Sequence, residues 1–164
     1  MNPDYKAIAA KLKFEGRAFI DGKYVDAIDG EKFDNINPAT GETLCSVAKC
    51  NHKDVDLAVK VSRKAFNSGV WSRTSPEFRK DILLKFAELL RQTGEENSVI
   101  ECVDTGKLIG DCINEVANDA PMHFQWYGEL IDKVFGKVGP TEPSLTSLIV
   151  KEPIGVVAGV VPWN

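Results

Sequence analysis

The chain has 164 residues, of which 43% are hydrophobic and 27% are charged, and these fractions are typical of globular domains rather than disordered segments. Its formal net charge of −4 and its pI near 5.3 indicate no net electrostatic attraction to nucleic acid or to an anionic membrane. No segment approaches the roughly 20 apolar residues of a membrane-spanning helix, so we expect neither kind of partner.

The first residues and the cysteines bear on location. Residues 1–10 include Asp4 and Lys6 and lack the apolar core of a signal peptide. The four cysteines fit no zinc-binding or CxxC spacing, so reduced thiols are expected. We therefore predict a cytoplasmic protein.

The first third of the chain reads as a short helix followed by two β units. Residues 1–15 carry apolar side chains on one side of a predicted helix. Asp21 and Gly22 then separate two short β segments, and this pair tolerates the positive φ values that close a tight hairpin. A second β unit is predicted from segments 33–37 and 43–48.

The middle of the chain predicts a series of helices. Asp54 opens the first one, and Ser75 followed by Pro76 starts the next, which Gly94 is expected to end. A further helix leads to Asp104. Apolar residues from about position 109 to 136 predict another helical stretch, interrupted at Pro121.

The last part of the chain changes character. Residues 137–143 carry two prolines and one glycine and predict a connector, and 144–150 reads as a strand. The apolar, β-branched run from Ile154 to Val161 is typical of a strand buried on both faces, as in parallel sheets. Open α/β sheets bind ligands at the carboxyl ends of such strands, where Pro162, Trp163 and Asn164 stand.

Several motifs, in this order and spacing, resemble the NAD(P)-dependent aldehyde dehydrogenases. The resemblance covers nearly the whole chain after about Arg17. The motifs are Phe19-Ile20-Asp21-Gly22-Lys23-Tyr24, Asn37-Pro38-Ala39-Thr40-Gly41-Glu42, Asp104-Thr105-Gly106-Lys107, Trp126-Tyr127, and Lys151-Glu152-Pro153-Ile154-Gly155-Val156 running into Val160-Val161-Pro162-Trp163-Asn164.

The resemblance implies an α/β fold of which this chain is the N-terminal part. Residues 1–136 correspond to short β-hairpins and a helical layer of the cofactor-binding domain. Residues 137–153 correspond to a connector and hairpin that pairs with another subunit, although an internal connector is the alternative. Residues 154–164 correspond to the first strand of a Rossmann-like, doubly wound parallel sheet. A homo-oligomer, dimer or tetramer, is implied.

The implied reaction oxidises an aldehyde to a carboxylic acid with NAD or NADP, through a thiohemiacetal on a cysteine. The nucleophile, the general base and the adenosine-ribose site lie beyond residue 164 in relatives, so this chain alone is expected to be inactive. The alternative function is a catalytically inactive, naturally short product that acts as an oligomerisation or interaction module.

The end of the chain carries the implied catalytic and cofactor residues. Asn164 matches the asparagine whose amide donates to the aldehyde oxygen as it becomes an oxyanion, worth about 3–4 kcal/mol per donor in comparable sites. A helix cap is the alternative role. Val160, Val161, Pro162 and Trp163 match the strand end beside the ribose and nicotinamide of the cofactor, and core packing is compatible with that role.

Asp104 has two interpretations. A helix that ends in Asp-x-Gly-Lys fits a glycine C-cap with a lysine near the negative helix end, and this structural account carries more weight. The resemblance adds a monovalent cation held by Asp104 and a backbone carbonyl near Ile36, and such oxygen ligands would bind Na⁺ or K⁺ weakly. Relatives usually have proline where this chain has Leu108, so a different exit angle is expected.

Glu115 and Asp119 are four residues apart, which puts both carboxylates on one face of a continuous helix. In the resembled family this helix contributes to the wall of the aldehyde entrance. Acidic groups there would favour a cationic ω-amino aldehyde. A solvated acidic face is the alternative and the commoner role of such residues.

Overall fold

The computed structural model describes residues 3–162. The chain begins with helix α1, Tyr5–Ala9, capped by the Asp4 carboxylate, which accepts from the Ala7 amide at 3.1 Å. This helix is shorter than the predicted 1–15, and although it lies against α4, none of its residues is buried. A helix with so little buried surface is marginal beyond a turn or two.

Two antiparallel strand pairs follow. Strands β1, Ala18–Ile20, and β2, Lys23–Val25, are joined by Asp21 and Gly22, whose φ values are 56° and 75°. The predicted hairpin is therefore confirmed. Strands β3, Lys32–Ile36, and β4, Thr43–Ala48, form the second pair, with a register shift between Asn35 and Ile36.

Helix α2, His52–Ser68, begins two residues before the predicted Asp54. Asn51 is its N-cap and accepts from the Lys53 amide at 2.8 Å. The buried Asp54 carboxylate accepts from the amides of Asn51 at 2.9 Å and Ile28 at 2.8 Å. These bonds hold the pKa of Asp54 below its usual value and tie the loop after β2 to the start of α2.

The remaining helices pack into one layer. They are α3, Pro76–Gln92, α4, Gly94–Thr105, α5, Ile109–Cys112, a π-helix, Ile113–Asp119, α6, Ala120–Leu130, and a short 3₁₀ turn, Ile131–Lys133. Helices α3 and α6 lie together, with Phe86 and Phe124 edge to face at 4.6 Å. The Ser75 hydroxyl accepts from the Phe78 amide, which confirms the predicted start of α3.

Gly94 does not end α3, contrary to the sequence prediction. Helix α3 ends at Gln92 with Thr93 as its cap, and Gly94 begins α4. A Cβ at position 94 would stand 2.8 Å from the Ala117 Cβ. The glycine is therefore required by the close approach of the π-helix to α4, which no local pattern reveals.

The predicted interruption at Pro121 is present, as a π-helix immediately before it. Proline has no N–H to donate, and in an α-helix its ring would clash with the carbonyl four residues earlier, here Ala117. The wider π turn accommodates both effects.

Strands β5, Lys137–Gly139, and β6, Ser147–Ile149, form a third antiparallel pair whose apolar side chains are largely exposed. Residues 151–162 carry no helix or strand, so the strand predicted from Ile154 is not formed in the described part of the chain. A strand needs backbone hydrogen bonds to a neighbouring strand, and none of the three strand pairs in residues 3–162 extends to this segment. The assignment of 154–164 to a parallel sheet stays a prediction, as do the other domain boundaries.

None of the helices in residues 3–162 is long and apolar enough to cross a membrane.

Candidate functional site

The end of β3 and the end of α4 meet through side chains. The Asn35 amide donates to the Asp104 carboxylate at 2.5 Å. Gly106 caps α4 with φ 77°, and a Cβ there would lie 2.9 Å from Pro38 in the turn after β3. The structure therefore brings the segment that contains Ile36 beside Asp104, through the neighbouring Asn35.

The predicted C-cap at Gly106 is confirmed, since its amide donates to the Cys102 carbonyl at 3.0 Å. The cation at Ile36 and Asp104 stays a prediction, because one oxygen of the exposed Asp104 carboxylate already accepts from Asn35. Within residues 3–162, no cluster of three or more histidine, cysteine or acidic side chains is placed to hold a metal ion.

Lys107 follows this cap and joins two helices. Its ammonium lies 2.7 Å from a carboxylate oxygen of Glu115 on the π-helix and 3.2 Å from one of Glu101 on α4. The hydrogen bond with Glu115 is the main cause that raises the pKa of Lys107, against the opposing effect of burial. The sequence motif pointed to Lys107 only as a charge at a helix end.

The backbone at Leu108 has φ −64°, which lies in the range that proline imposes, and α5 begins directly after it. The expected difference in exit angle from relatives with proline stays a prediction.

The two predicted entrance acids lie on the π-helix rather than on an α-helix. Both are exposed, but their surroundings differ, because Glu115 is paired with Lys107 whereas the Asp119 carboxylate has no ion pair among residues 3–162. The Asp119 carbonyl lies 2.8 Å from the Nδ1 atom of His123, one turn further along. The two acids therefore lie on one short segment, but only Glu115 is in an ion pair among residues 3–162.

An exposed apolar surface continues from these acids along α6. Met122, Trp126 and Tyr127 are each more than half exposed and, with His123, line a shallow pocket of about 250 Å³. The sequence motif singled out Trp126 and Tyr127, but it did not place them beside Asp119. An exposed apolar surface thus follows the two acids along the chain.

The predicted cofactor residues lie in the segment without regular structure. Val160 is 99% exposed and Val161 is 81% exposed, and Pro162 is exposed as well. Trp163 and Asn164 lie outside the described residues, so the structure does not place the oxyanion donor.

Upstream, this segment lies against α2. Gly155 has φ 114°, and a Cβ there would stand 2.9 Å from the Arg63 guanidinium. Between the segment and the loop after α2 lies an open groove of about 680 Å³, lined in part by Phe66, Trp71 and Pro153.

The described residues fit NAD(P) only in part. Exposed, apolar side chains at 160–162 suit the flat face of a ribose or nicotinamide. Within residues 3–162, no glycine-rich turn leads from a strand to a helix N-terminus, the usual phosphate-binding element of doubly wound domains. A complete dinucleotide site therefore needs groups other than these.

Comparison with known proteins places these features in context. Residues 24–164 match the aldehyde dehydrogenase family. An aminoacetaldehyde dehydrogenase of Pseudomonas aeruginosa is 44% identical over 98% of this chain and 32% of its own length. The NADP/NAD-dependent aldehyde dehydrogenase PuuC of Escherichia coli is 39% identical over 95% of this chain and 32% of its own length.

A solved structure gives the same result in three dimensions. The indole-3-acetaldehyde dehydrogenase AldA of P. syringae, determined in complex with NAD⁺, superimposes with a TM-score of 0.94 at 43% identity, over 98% of this chain and 32% of that one. The chain thus spans about a third of the length of the relatives it matches.

Proposed function

Because the chain belongs to the aldehyde dehydrogenase family, we propose that it is the N-terminal part of an NAD(P)-dependent aldehyde dehydrogenase. The complete polypeptide oxidises an aldehyde to a carboxylic acid through a thiohemiacetal on a cysteine that lies beyond residue 164. The observation that carries this proposal is the match of 98% of the chain to an NAD⁺-bound relative with a TM-score of 0.94.

Asn164 supplies an oxyanion donor in this proposal. Its neutral amide donates to the aldehyde oxygen as negative charge develops there, without a change of protonation. Bound NAD(P)⁺ supplies the hydride acceptor. Val160, Val161, Pro162 and Trp163 form an apolar wall beside the ribose and nicotinamide, and the exposure of the first three supports this role.

Glu115 and Asp119 line the entrance for the aldehyde. Support comes from their exposure on the π-helix and from the apolar surface of Trp126 and Tyr127 beyond them. A carboxylate at such a mouth attracts a cation, and an apolar wall accommodates the carbon chain. The substrate class that fits both is a short ω-amino aldehyde, and one of the relatives is named for aminoacetaldehyde.

Ile36 and Asp104 hold a weakly bound monovalent cation between the strand pairs and the helical layer in the complete protein. The support is that the Asn35–Asp104 hydrogen bond already brings these two segments together. A carboxylate and backbone carbonyls are the oxygen ligands that a hard cation prefers.

A homo-oligomer, dimer or tetramer, forms through the β5–β6 hairpin. Val138 and Leu148 oppose each other there and are exposed by 72% and 67%, so the hairpin offers an uncovered apolar surface. A cytoplasmic location is supported by the four cysteines, which are all unpaired thiols, as a reducing compartment maintains.

The proposal is tested by assaying the polypeptide encoded by the complete reading frame that contains this chain. We expect it to reduce NAD⁺ or NADP⁺ in the presence of 3-aminopropanal, measured by NADH or NADPH absorbance, while the 164-residue chain gives no turnover. Absence of cofactor reduction with 3-aminopropanal, with butanal and with aromatic aldehydes would contradict the proposal. If the reading frame stops after Asn164 and its product self-associates without turnover, the interaction module would be favoured.

A further inference from the structure

Hydrogen bonds fix the backbone of Lys107 at both its amide and its carbonyl. Its amide donates to the Thr105 hydroxyl at 3.3 Å, and its carbonyl accepts from the Cys102 thiol at 3.1 Å. Gly106, with φ 77°, turns the chain just before it. The side chain therefore leaves from a fixed point between α4 and the π-helix, and only 21% of it is exposed.

The π-helix is attached to α4 at two places. Glu115 is bound by Lys107, and Ala117 packs against Gly94 so closely that no side chain fits there. The Ser98 hydroxyl, buried in α4, adds a bond to the Cys112 carbonyl at 3.2 Å just before the π-helix. The position of Glu115 is thus determined by α4 and not by its own helix alone.

The contact with Lys107 also determines the charge that Glu115 presents. The Lys107 ammonium lies 2.7 Å from the Glu115 carboxylate and compensates it in part, because Glu101 shares the same ammonium at 3.2 Å. The Asp119 carboxylate has no ion pair in the described part of the chain. A cation that approaches the π-helix therefore meets one uncompensated acid and one acid whose charge Lys107 partly offsets.

We propose that Lys107 is a specificity-determining residue, which acts through Glu115 by offsetting part of its charge and leaves Asp119 as the main acid that attracts a cationic aldehyde. This inference rests on the proposed function. It deepens that function because it names the residue that limits the preference for charged over neutral aldehydes. Lys107 touches no substrate in this account.

The test compares two aldehydes of the same size in the complete polypeptide, cationic 3-aminopropanal and neutral butanal. Lys107→Met frees the Glu115 carboxylate, so the KM for 3-aminopropanal falls by about two- to fivefold, while the KM for butanal and both kcat values stay unchanged. The effect shrinks with added salt because exposed charges are screened. Lys107→Arg restores the wild-type ratio of the two KM values.

Three further variants separate charge from stability. Glu115→Gln, at an exposed side chain, removes one negative charge, leaves Lys107 paired with Glu101 alone, and raises the KM for 3-aminopropanal. The double variant Lys107→Met with Glu115→Gln returns the KM ratio to that of the wild type. Lys53→Met makes the same change in net charge at the Asp29 pair of α2 and leaves the ratio unchanged.

Two results would overturn the inference in distinguishable ways. If the wild-type polypeptide oxidises neither aldehyde, the proposed function fails and the inference fails with it. If it oxidises both, but the Lys107 and Glu115 variants shift the two KM values equally or not at all, only the inference fails. If Lys107→Met does not fold, Glu115→Gln alone decides between these outcomes.

Discussion

The helical layer and the segment 151–162 are both rich in apolar residues, yet the structure treats them differently. In the layer, Ala87 and Cys112 are completely buried and Val99 is 2% exposed. In the segment, Ile154 is 90% exposed and Val160 is 99% exposed. The layer buries part of its apolar pattern among its own helices, although Phe78 and Leu89 of α3 stay about half exposed. The segment lacks the backbone partners that would make it a strand. The comparison separates residues that act in stability from those that we assign to chemistry.

The largest expected effect concerns rate and lies at Asn164, two residues after the described part of the segment. In the complete polypeptide, Asn164→Ala lowers kcat and kcat/KM by about 10²–10³, because the lost donor acts only once charge builds on the aldehyde oxygen. Cofactor affinity and the Tm stay unchanged. Pre-steady-state NADH formation beside a thermal melt measures both, and a normal burst rate with a lowered Tm would show a helix cap instead.

In the helical layer the expected effect is on stability and not on rate. Gly94→Val places a side chain against Ala117, where a Cβ alone meets the Ala117 Cβ at 2.8 Å, and such overpacking costs about 1–3 kcal/mol of unfolding free energy. Gly159→Val in the segment is the matched control, since a Cβ there meets nothing within 4 Å. Urea unfolding of both variants checks this, and equal midpoints would contradict the contrast.

The Asp54 carboxylate connects the loop after β2 to the start of α2, and this connection is sensitive to acid. Asp54→Asn lowers the Tm by several degrees at pH 7, because the carboxylate that accepts from Asn51 and Ile28 is lost. The pKa of Asp54 is lowered by these bonds, so its contribution is complete above its usual value of 3.8 and is lost as the pH falls through the lowered pKa.

Thermal melts from pH 7 to pH 2 follow the difference between Asp54→Asn and the wild type, which is expected to close at the acid end. Asp56→Asn, exposed on the same helix, serves as the control with no change. A difference that stays constant across this range would show that Asp54 acts by packing alone.

The smallest expected effect on stability lies in the segment. Val160→Thr changes the free energy of unfolding of the 164-residue chain by less than about 0.5 kcal/mol, since the side chain is almost completely exposed. Replacement of Val157, Val160 and Val161 by threonine reduces self-association and apolar-dye binding instead. Sedimentation velocity measures this, and a monodisperse wild-type monomer that binds no dye would contradict it.

Local signals predicted the elements whose causes are local. The Asp21-Gly22 turn, the Ser75 cap and the Gly106 cap depend on backbone conformations that a few neighbouring residues specify. The family resemblance was likewise carried by short motifs, and the comparisons confirm it.

The sequence did not reveal features that depend on distant contacts. Gly94 looked like a helix end because its partner, Ala117, is far away in the chain. The pairing of Lys107 with Glu115 depends on the path through α5, and the strand at Ile154 depends on neighbours that periodicity cannot supply. The predicted entrance acids were found by spacing, but the ion pair that distinguishes Glu115 from Asp119 was not.

Hydrogen exchange of the amides of residues 156–161 tests the central claim most directly. We expect fast exchange in the 164-residue chain, exchange slower by about 100-fold or more in the complete polypeptide, and further protection at Val160 and Val161 when NAD⁺ is added. This result would show that the segment becomes a strand beside the cofactor. Equally fast exchange in both polypeptides, with no response to NAD⁺, would contradict the account.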